Sequence, residues 1–448
     1  VIALDTKIFF NDPWWIVAIK CIGVVVLLLT WTIVNVWYER RLVGKMQHRL
    51  GPIMNGPFGL GQALADGMKL LVKEDFAPGM VDRVLYTIAP LIVGVCAFTA
   101  WSVIPLGGEV NMFGVMTRLQ VTDLPVGTLV ILAMSSVAVY GFVLAGWSSN
   151  SPYSLLGALR SSAQMISYEI SMGLSFVAVF LYAGTMATSD IVDLQAQPFL
   201  GFAGFQGIGI QNWYWLVLFP SFVVYVISMV GETNRAPFDL PECESELVSG
   251  HLTEYSGFRY AVFFLAEYIN MATVSAVCAT LFLGGYHSPI LPGVLDAGYL
   301  GIIWFILKVQ LLISFFVWLR GTLPRLRYDQ FMDLGWKVMI PFSLVWLMAI
   351  ATVKGLRNAN LLTLPVLLIG FAVLALAALA WMYLGGKPEP VAEPLPEVFD
   401  AFAGGYPVPP MPGQTLPELA DVVAGSSEPD LEPELIEDAV GAASGREN

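Results

Sequence analysis

Of 448 residues, 56% are hydrophobic and 13% are charged, and the mean hydropathy is +0.70; such a chain is solvated mainly by lipid, which excludes a soluble globular protein. The formal charge of −13 is local, because residues 385–448 hold 13 acids against Lys387 and Arg446, leaving 22 acids and 20 bases elsewhere. No basic stripe remains, which excludes nucleic acid as a partner.

Apolar runs near 20 residues, enough to cross about 30 Å of hydrocarbon at about 1.5 Å per residue, recur along the chain. They predict an all-α polytopic membrane protein whose transmembrane domain occupies residues 1–384. About nine transmembrane helices are expected, near 14–37, 84–104, 123–146, 161–186, 213–231, 260–285, 301–320, 336–354 and 361–384. The first run is bracketed by Trp14 and Trp15 at one end and by Trp37 and Tyr38 at the other, the aromatic belt of a helix that meets headgroups. It is too long and begins too abruptly for a signal peptide. Lys20, inside this run, reads as snorkelling to the interface.

Between Gly59 and Glu74 the polar residues Gln62, Asp66, Lys69 and Lys73 recur at helical spacing, with Leu60, Leu64, Met68 and Leu71 on the other face. This is an amphipathic interfacial helix, too short and too charged to cross. Its apolar face either anchors the chain to acyl chains or meets something lipid-like. The glycines and prolines from Gly51 to Gly59 make a turn-rich approach to it.

From Glu232 to Arg259, Glu232, Asp239, Glu242, Glu244, Glu246 and Glu254 crowd a loop with Arg235 and Arg259. Interleaved apolar residues such as Phe238, Leu247 and Tyr255 imply partial burial, and neighbouring buried carboxylates cannot all stay ionised. Residues 385–448, rich in Pro, Glu, Ala and Gly, read as a disordered acidic tail.

The loop 38–83 carries seven bases and the segment 321–335 adds Arg325 and Arg327, whereas 187–212 and 286–300 contain no Lys or Arg. The positive-inside rule therefore puts the amino terminus outside and the large charged loops and the tail in the cytoplasm. Lys354 and Arg357 then lie on the outer side, against the rule. Cys21, Cys96, Cys243 and Cys278 are scattered singly, and with only three histidines they build no metal site. Any electron carrier belongs to another chain.

Ionisable groups inside spans are costly and face a cavity or a partner by default. Glu169 and Glu267 each lie roughly 12 to 14 Å along their helices from the cytoplasmic end, a common depth at which they could meet. Lys308, near the middle of the seventh span, has the opposite sign. Either these charges form a structural ion pair or they carry protons. Tyr168 and Tyr268, each beside a glutamate, either extend such a chain or pack.

Two stretches go beyond composition. The first is Glu39 to Pro52 (ERRLVGKMQHRLGP), followed by Gly56-Pro57-Phe58-Gly59, Ala65 to Leu70 (ADGMKL) and Lys73-Glu74. The second is Gly231 to Glu242 (GETNRAPFDLPE), followed by Glu244 to Gly250 (ESELVSG), Glu254-Tyr255 and Phe263 to Tyr268 (FFLAEY). Together they resemble the signatures of the membrane H subunit of proton-translocating NADH:quinone oxidoreductase, respiratory complex I, over roughly residues 14–354. The resemblance implies a component of a bacterial plasma (inner) membrane enzyme that forms much of a quinone chamber and holds no redox centre itself. It implies quinone, menaquinone or ubiquinone, as substrate, with iron-sulfur clusters and FMN on partner subunits. The implied partners are the soluble quinone-site and iron-sulfur subunits, small membrane subunits and antiporter-like subunits.

The resemblance further implies a chamber that involves Arg40, Arg49, Asp66, Lys69, Arg235 and Asp239. It implies a proton channel of Glu169, Glu232, Glu242, Glu244 and Glu267. Ile53, Cys243 and His251 depart from the family pattern without removing an ionisable channel position. Two rival readings are a homologous component of a membrane-bound hydrogenase or other-donor dehydrogenase, and a stand-alone secondary ion transporter. The second rival lacks the paired, broken spans in two matching halves that such transporters show.

Overall fold

The helix α1 spans Trp14–Met46 and so continues well past residue 37, where the first apolar run ends. Its extension is built of good helix formers, Glu, Arg, Leu, Lys and Met, and stops where His48 takes a positive φ ahead of Gly51-Pro52. This carries Glu39 and Arg40 on a rigid helix rather than in a loop. The amphipathic helix α2 follows at Gly61–Val72. Helix α3, Arg83–Ala100, is started by Asp82, whose carboxylate accepts from the amides of Val84 and Leu85.

The computed structural model describes residues 12–196, 212–239, 247–288 and 298–359, which lie in one compact unit, Val1–Thr363. The expected ninth span at 361–384, the tail at 385–448, and Glu242 and Glu244 lie outside the described residues.

After α3 come two strands that hydropathy did not foreshadow, β1 (Gly107–Met112) and β2 (Val115–Leu119). They pair antiparallel with Met112 opposite Val115, so Phe113 and Gly114 alone make the turn, both at positive φ, as the tight hairpin turn demands. Then follow α4 (Gly127–Ser148), α5 (Pro152–Ala183) and the short α6 (Thr188–Gln195). The fifth expected span is broken at Leu218 into α7 (Tyr214–Val217) and α8 (Phe219–Glu232). Pro220 explains the break, since it has no N–H to offer Leu216 and its ring crowds that turn. The chain continues with α9 (Gly257–Phe282), α10 (Leu300–Thr322), α11 (Tyr328–Asp333), a π-helical stretch at Leu334–Met339 and α12 (Ile340–Asn358).

Among the described residues seven helical segments are long and apolar enough to cross a membrane, and α8 is a shorter apolar helix. The class is therefore all-α and polytopic. Helix α3 packs on α4, α4 on α5, α5 on α8, and α9 on α3, while α1 packs on α10 and α2. Small residues permit this closeness: a Cβ built on Gly141 of α4 falls 2.3 Å from Val93 Cγ2 of α3.

Two lysines depart from what the sequence suggested. Lys20 does not snorkel but is buried against Asp12 at 2.5 Å and Thr117 Oγ1 at 2.6 Å. Lys308 donates to the carbonyls of Leu283, Gly285 and His287 at 2.6, 2.8 and 2.7 Å, just past the end of α9.

Candidate functional site

The end of α1, the Gly51–Gly59 loop, α2 and the end of α10 surround a cavity of about 770 Å³ whose lining includes Glu39, Arg40, Arg49, Met54, Gln62 and Arg320. The loop is pinned to α1 because Trp37 Nε1 and Arg41 both donate to the Phe58 carbonyl, at 3.0 and 2.9 Å. Gly59 must be glycine: φ is +81°, and a Cβ there falls 2.1 Å from the Pro52 carbonyl oxygen.

Arg40 is held from α2, its Nη1 2.5 Å from Asp66 Oδ2, while Gln62 Nε2 donates to Asp66 Oδ1 at 3.0 Å. Partial burial alone would raise the Asp66 carboxyl, but the hydrogen bond and charge of Arg40 outweigh it and hold the group below its ordinary value. Arg49 lines the cavity and donates to Gln47 Oε1 at 2.8 Å. Lys69, one turn beyond Asp66, is exposed. On the other face of α2, Leu64, Met68 and Leu71 are exposed, as the amphipathic pattern requires.

Glu39 closes the inner wall of this cavity. It is 4% exposed, and Oε1 accepts from both Arg320 and Arg235, the latter at 3.3 Å, while Oε2 accepts from Tyr268 at 2.6 Å. Arg235 also lies 2.7 Å from Glu267 Oε1, with its guanidinium 4.4 Å above the Tyr268 ring. Burial works against the charge of Arg235, but Glu267 and Glu39 outweigh it and hold the guanidinium protonated. The loop that carries Arg235 is braced by Gln164, whose Nε2 donates to the carbonyls of Gly231 and Phe238 at 2.8 and 2.9 Å. Asp239 follows on this loop, half-buried.

Glu169 and Glu232 belong to a second locus. Glu169 accepts from Ser136 and, at 3.0 Å, from Ser135, both on α4. Glu232, in the last turn of α8, is buried and borders a cavity of about 40 Å³ that Ser135 of α4 and Asn270 and Thr273 of α9 also line. That is space for water beside polar groups able to hold it. Its Oε2 has no hydrogen-bond partner, and the charge of Glu169 reaches it.

Glu169 and Glu267, which the sequence places at a common depth, have different partners. Helix α9 stands between the two loci: Met271 faces a small gap shared with Glu39, Arg235 and Arg320, and the adjacent Asn270 faces the Glu232 cavity. Tyr268 joins the network, but Tyr168 packs, its ring stacked 4.2 Å from Phe331 and its hydroxyl donating to the Phe331 carbonyl.

Sequence reasoning missed Glu39, Arg320, Ser135 and Ser136 as site residues. The available signal for Glu39 was its place two residues past an apolar run, beside the first basic cluster. Arg320 was legible only as a helix terminus. Among the described residues no three His, Cys, Asp or Glu side chains converge as metal ligands would.

These features define a multi-pass membrane protein in which a surface cavity is joined, through a paired carboxylate and guanidinium, to Glu267 on a helix of the bundle. A family profile described as NADH dehydrogenase matches residues 19–351. The chain is 56% identical over 423 residues to the NADH-quinone oxidoreductase H subunit of Cutibacterium acnes, covering 93% of this chain and 96% of that one. It is 50% identical over 430 residues to the H subunit of Streptomyces avermitilis, covering 93% and 91%, and 54% identical over 352 residues to that of Frankia alni, covering 78% and 75%. The chain belongs to the family of NADH-quinone oxidoreductase H subunits, in agreement with the two motif stretches. Membership makes it a multi-pass membrane component of respiratory complex I, with other subunits of that enzyme as partners.

Proposed function

We propose that this chain forms the quinone chamber of a proton-pumping NADH:quinone oxidoreductase and couples quinone reduction to proton translocation through its buried carboxylates. The observation that carries the reading is the position of Glu39. One buried carboxylate in the wall of the 770 Å³ cavity is bound to Arg320, Arg235 and Tyr268, and Arg235 is bound to Glu267. Reduction of a quinone to a quinol takes up two electrons and two protons. A change of charge in the cavity is felt first by Arg40, Arg49, Arg320 and Glu39. Arg235, shared between Glu39 and Glu267, then passes the imbalance to α9, because a guanidinium with two carboxylate partners redistributes when one partner's charge changes.

Beyond α9, Glu232, Glu169 and the serines beside the 40 Å³ cavity form a place where a proton can be held and exchanged through water. Family membership adds Glu242 and Glu244 to the acidic channel, and Asp239 and Arg235 to the loop near the chamber. Lys69 and Asp66 keep the chamber mouth charged while the apolar face of α2 meets the quinone tail. The electrons come from an iron-sulfur subunit docked on the cytoplasmic loops, with FMN further upstream and antiporter-like and small membrane subunits alongside. The amino terminus faces out of a bacterial plasma (inner) membrane.

The test is a pair of isosteric substitutions in the assembled membrane complex, Glu169→Gln and Glu267→Gln. Both are expected to assemble and to lower proton pumping measured in vesicles against NADH oxidation. Wild-type pumping in both variants would overturn the coupling role.

A further inference from the structure

We infer that the tip of the β1–β2 hairpin is a membrane-interface anchor, seated among lipid headgroups and the first acyl carbons of the leaflet at which α1 begins. The hairpin presents apolar side chains where a water-facing turn has no use for them. Phe113 is 78% exposed and Met116 is 63% exposed. Phe113 occupies the first turn position at φ +53°, a conformation that Gly or Asn adopts far more readily.

The depth of the tip is fixed by its neighbours. The Phe113 ring lies 6.0 Å, edge to face, from that of Trp15. Trp14 and Trp15 open the apolar run of α1, where a crossing helix meets its headgroups. Trp14 is 82% exposed, and Ile19, Ile22 and Val26 continue an exposed apolar face below it. On the other strand, Thr117 donates to Asp12 at 2.6 Å and accepts from Lys20, which clamps the hairpin along the first turns of α1. Tyr299, at the start of α10, donates to the Asn111 carbonyl at 3.1 Å and is itself half exposed. An aromatic belt is thus assembled from three separate segments. A rigid amphipathic ring gains most at this depth, with its face among acyl chains and its edge toward headgroups.

The occupant is lipid, because the patch is continuous with the lipid-facing side of α1. The experiment replaces Phe113 with the photoreactive analogue p-benzoylphenylalanine in the whole complex in its native membrane, with Asp190, exposed on α6, as the control position. After irradiation, mass spectrometry of the isolated chain is expected to find a phospholipid adduct at position 113 and none at 190. A cross-link from 113 to another protein of the complex, no adduct, or equal lipid adduct at both positions would overturn the assignment.

Discussion

Replacing Arg235 with Gln removes a buried charge that serves two carboxylates. The side chain is 10% exposed, and its guanidinium lies 2.7 Å from Glu267 and 3.3 Å from Glu39 and stands 4.4 Å over the Tyr268 ring. Removing one member of a buried pair leaves an uncompensated charge and costs about 3 to 5 kcal/mol. The lost ring contact adds about 1 kcal/mol. Glu39 keeps Arg320 and Tyr268, so the greater part of the cost falls on Glu267. Against a net stability of about 5 to 15 kcal/mol, Arg235→Gln is expected to lower the amount of chain found in assembled complex severalfold and the thermal midpoint of what remains. Arg235→Lys keeps the charge but not the two-sided reach. It is expected to assemble and to lose most NADH:quinone reduction. The assay is native-gel quantitation of the complex with melting by intrinsic fluorescence, followed by quinone reduction. Arg235→Gln at wild-type abundance, midpoint and turnover would refute the argument that one guanidinium holds both carboxylates.

Three further outcomes follow from local geometry. His251 is 4% exposed between the rings of Phe142 and Phe263, and burial pushes its imidazole down to about 4; the unfolded chain therefore binds the extra proton between pH 6.5 and about 4. Stability is full above that window and falls as pH drops through it, by about 3 kcal/mol in all, and His251→Phe should flatten that part of the melting-versus-pH curve; identical slopes in both proteins would contradict this. Gly231→Ala puts a Cβ 2.7 Å from the Tyr168 ring, which cannot yield because it is stacked and hydrogen-bonded to Phe331, so a loss of about 1 to 3 kcal/mol should lower the melting midpoint. Asp66→Asn breaks a half-exposed pair at a cost below about 1 kcal/mol, so the midpoint should hold while KM for quinone rises.

The spans were legible because a lipid-crossing helix has to be apolar along its whole length. What composition could not show was where helices break or overrun. Pro220 was the visible signal for the break at Leu218, hidden inside a run whose hydropathy is continuous. The extension of α1 to Met46 depends on helix propensity in a charged segment that hydropathy scores as loop, and so Glu39 was read within a motif and not as a buried wall residue. The hairpin was missed because its turn uses Phe113 before Gly114 where Asn or Asp is the usual signal. Its short strands also carry Thr117 and Arg118 among apolar residues. The motif stretches brought Arg40, Asp66 and Arg235 to notice, but only packing reveals that Arg235 serves two carboxylates from different helices.

Lysines and glutamates have different roles within this bundle, and geometry gives the reason. An ammonium is a compact donor of three hydrogen bonds with no capacity to accept, which suits the unpaired carbonyls at the end of a helix and the negative end of its dipole. Lys308 uses three donors on the carbonyls beyond α9, and Lys354 reaches the Leu181 carbonyl in the last turn of α5. Both are helix-end fasteners. Lys20 instead fastens the hairpin through side chains, those of Asp12 and Thr117. Carboxylates have no such backbone role within a helix, whose amides are already paired except at the first turn. Glu39 and Glu232 instead border the cavities of about 770 and 40 Å³, and Glu169 and Glu267 are tied to residues that do, Glu169 to Ser135 and Glu267 to Glu39 through Arg235. A charge that fastens a helix end has no reason to stand beside open space, whereas a group that gives and takes protons requires it. Glu39 and Glu232 stand beside such space.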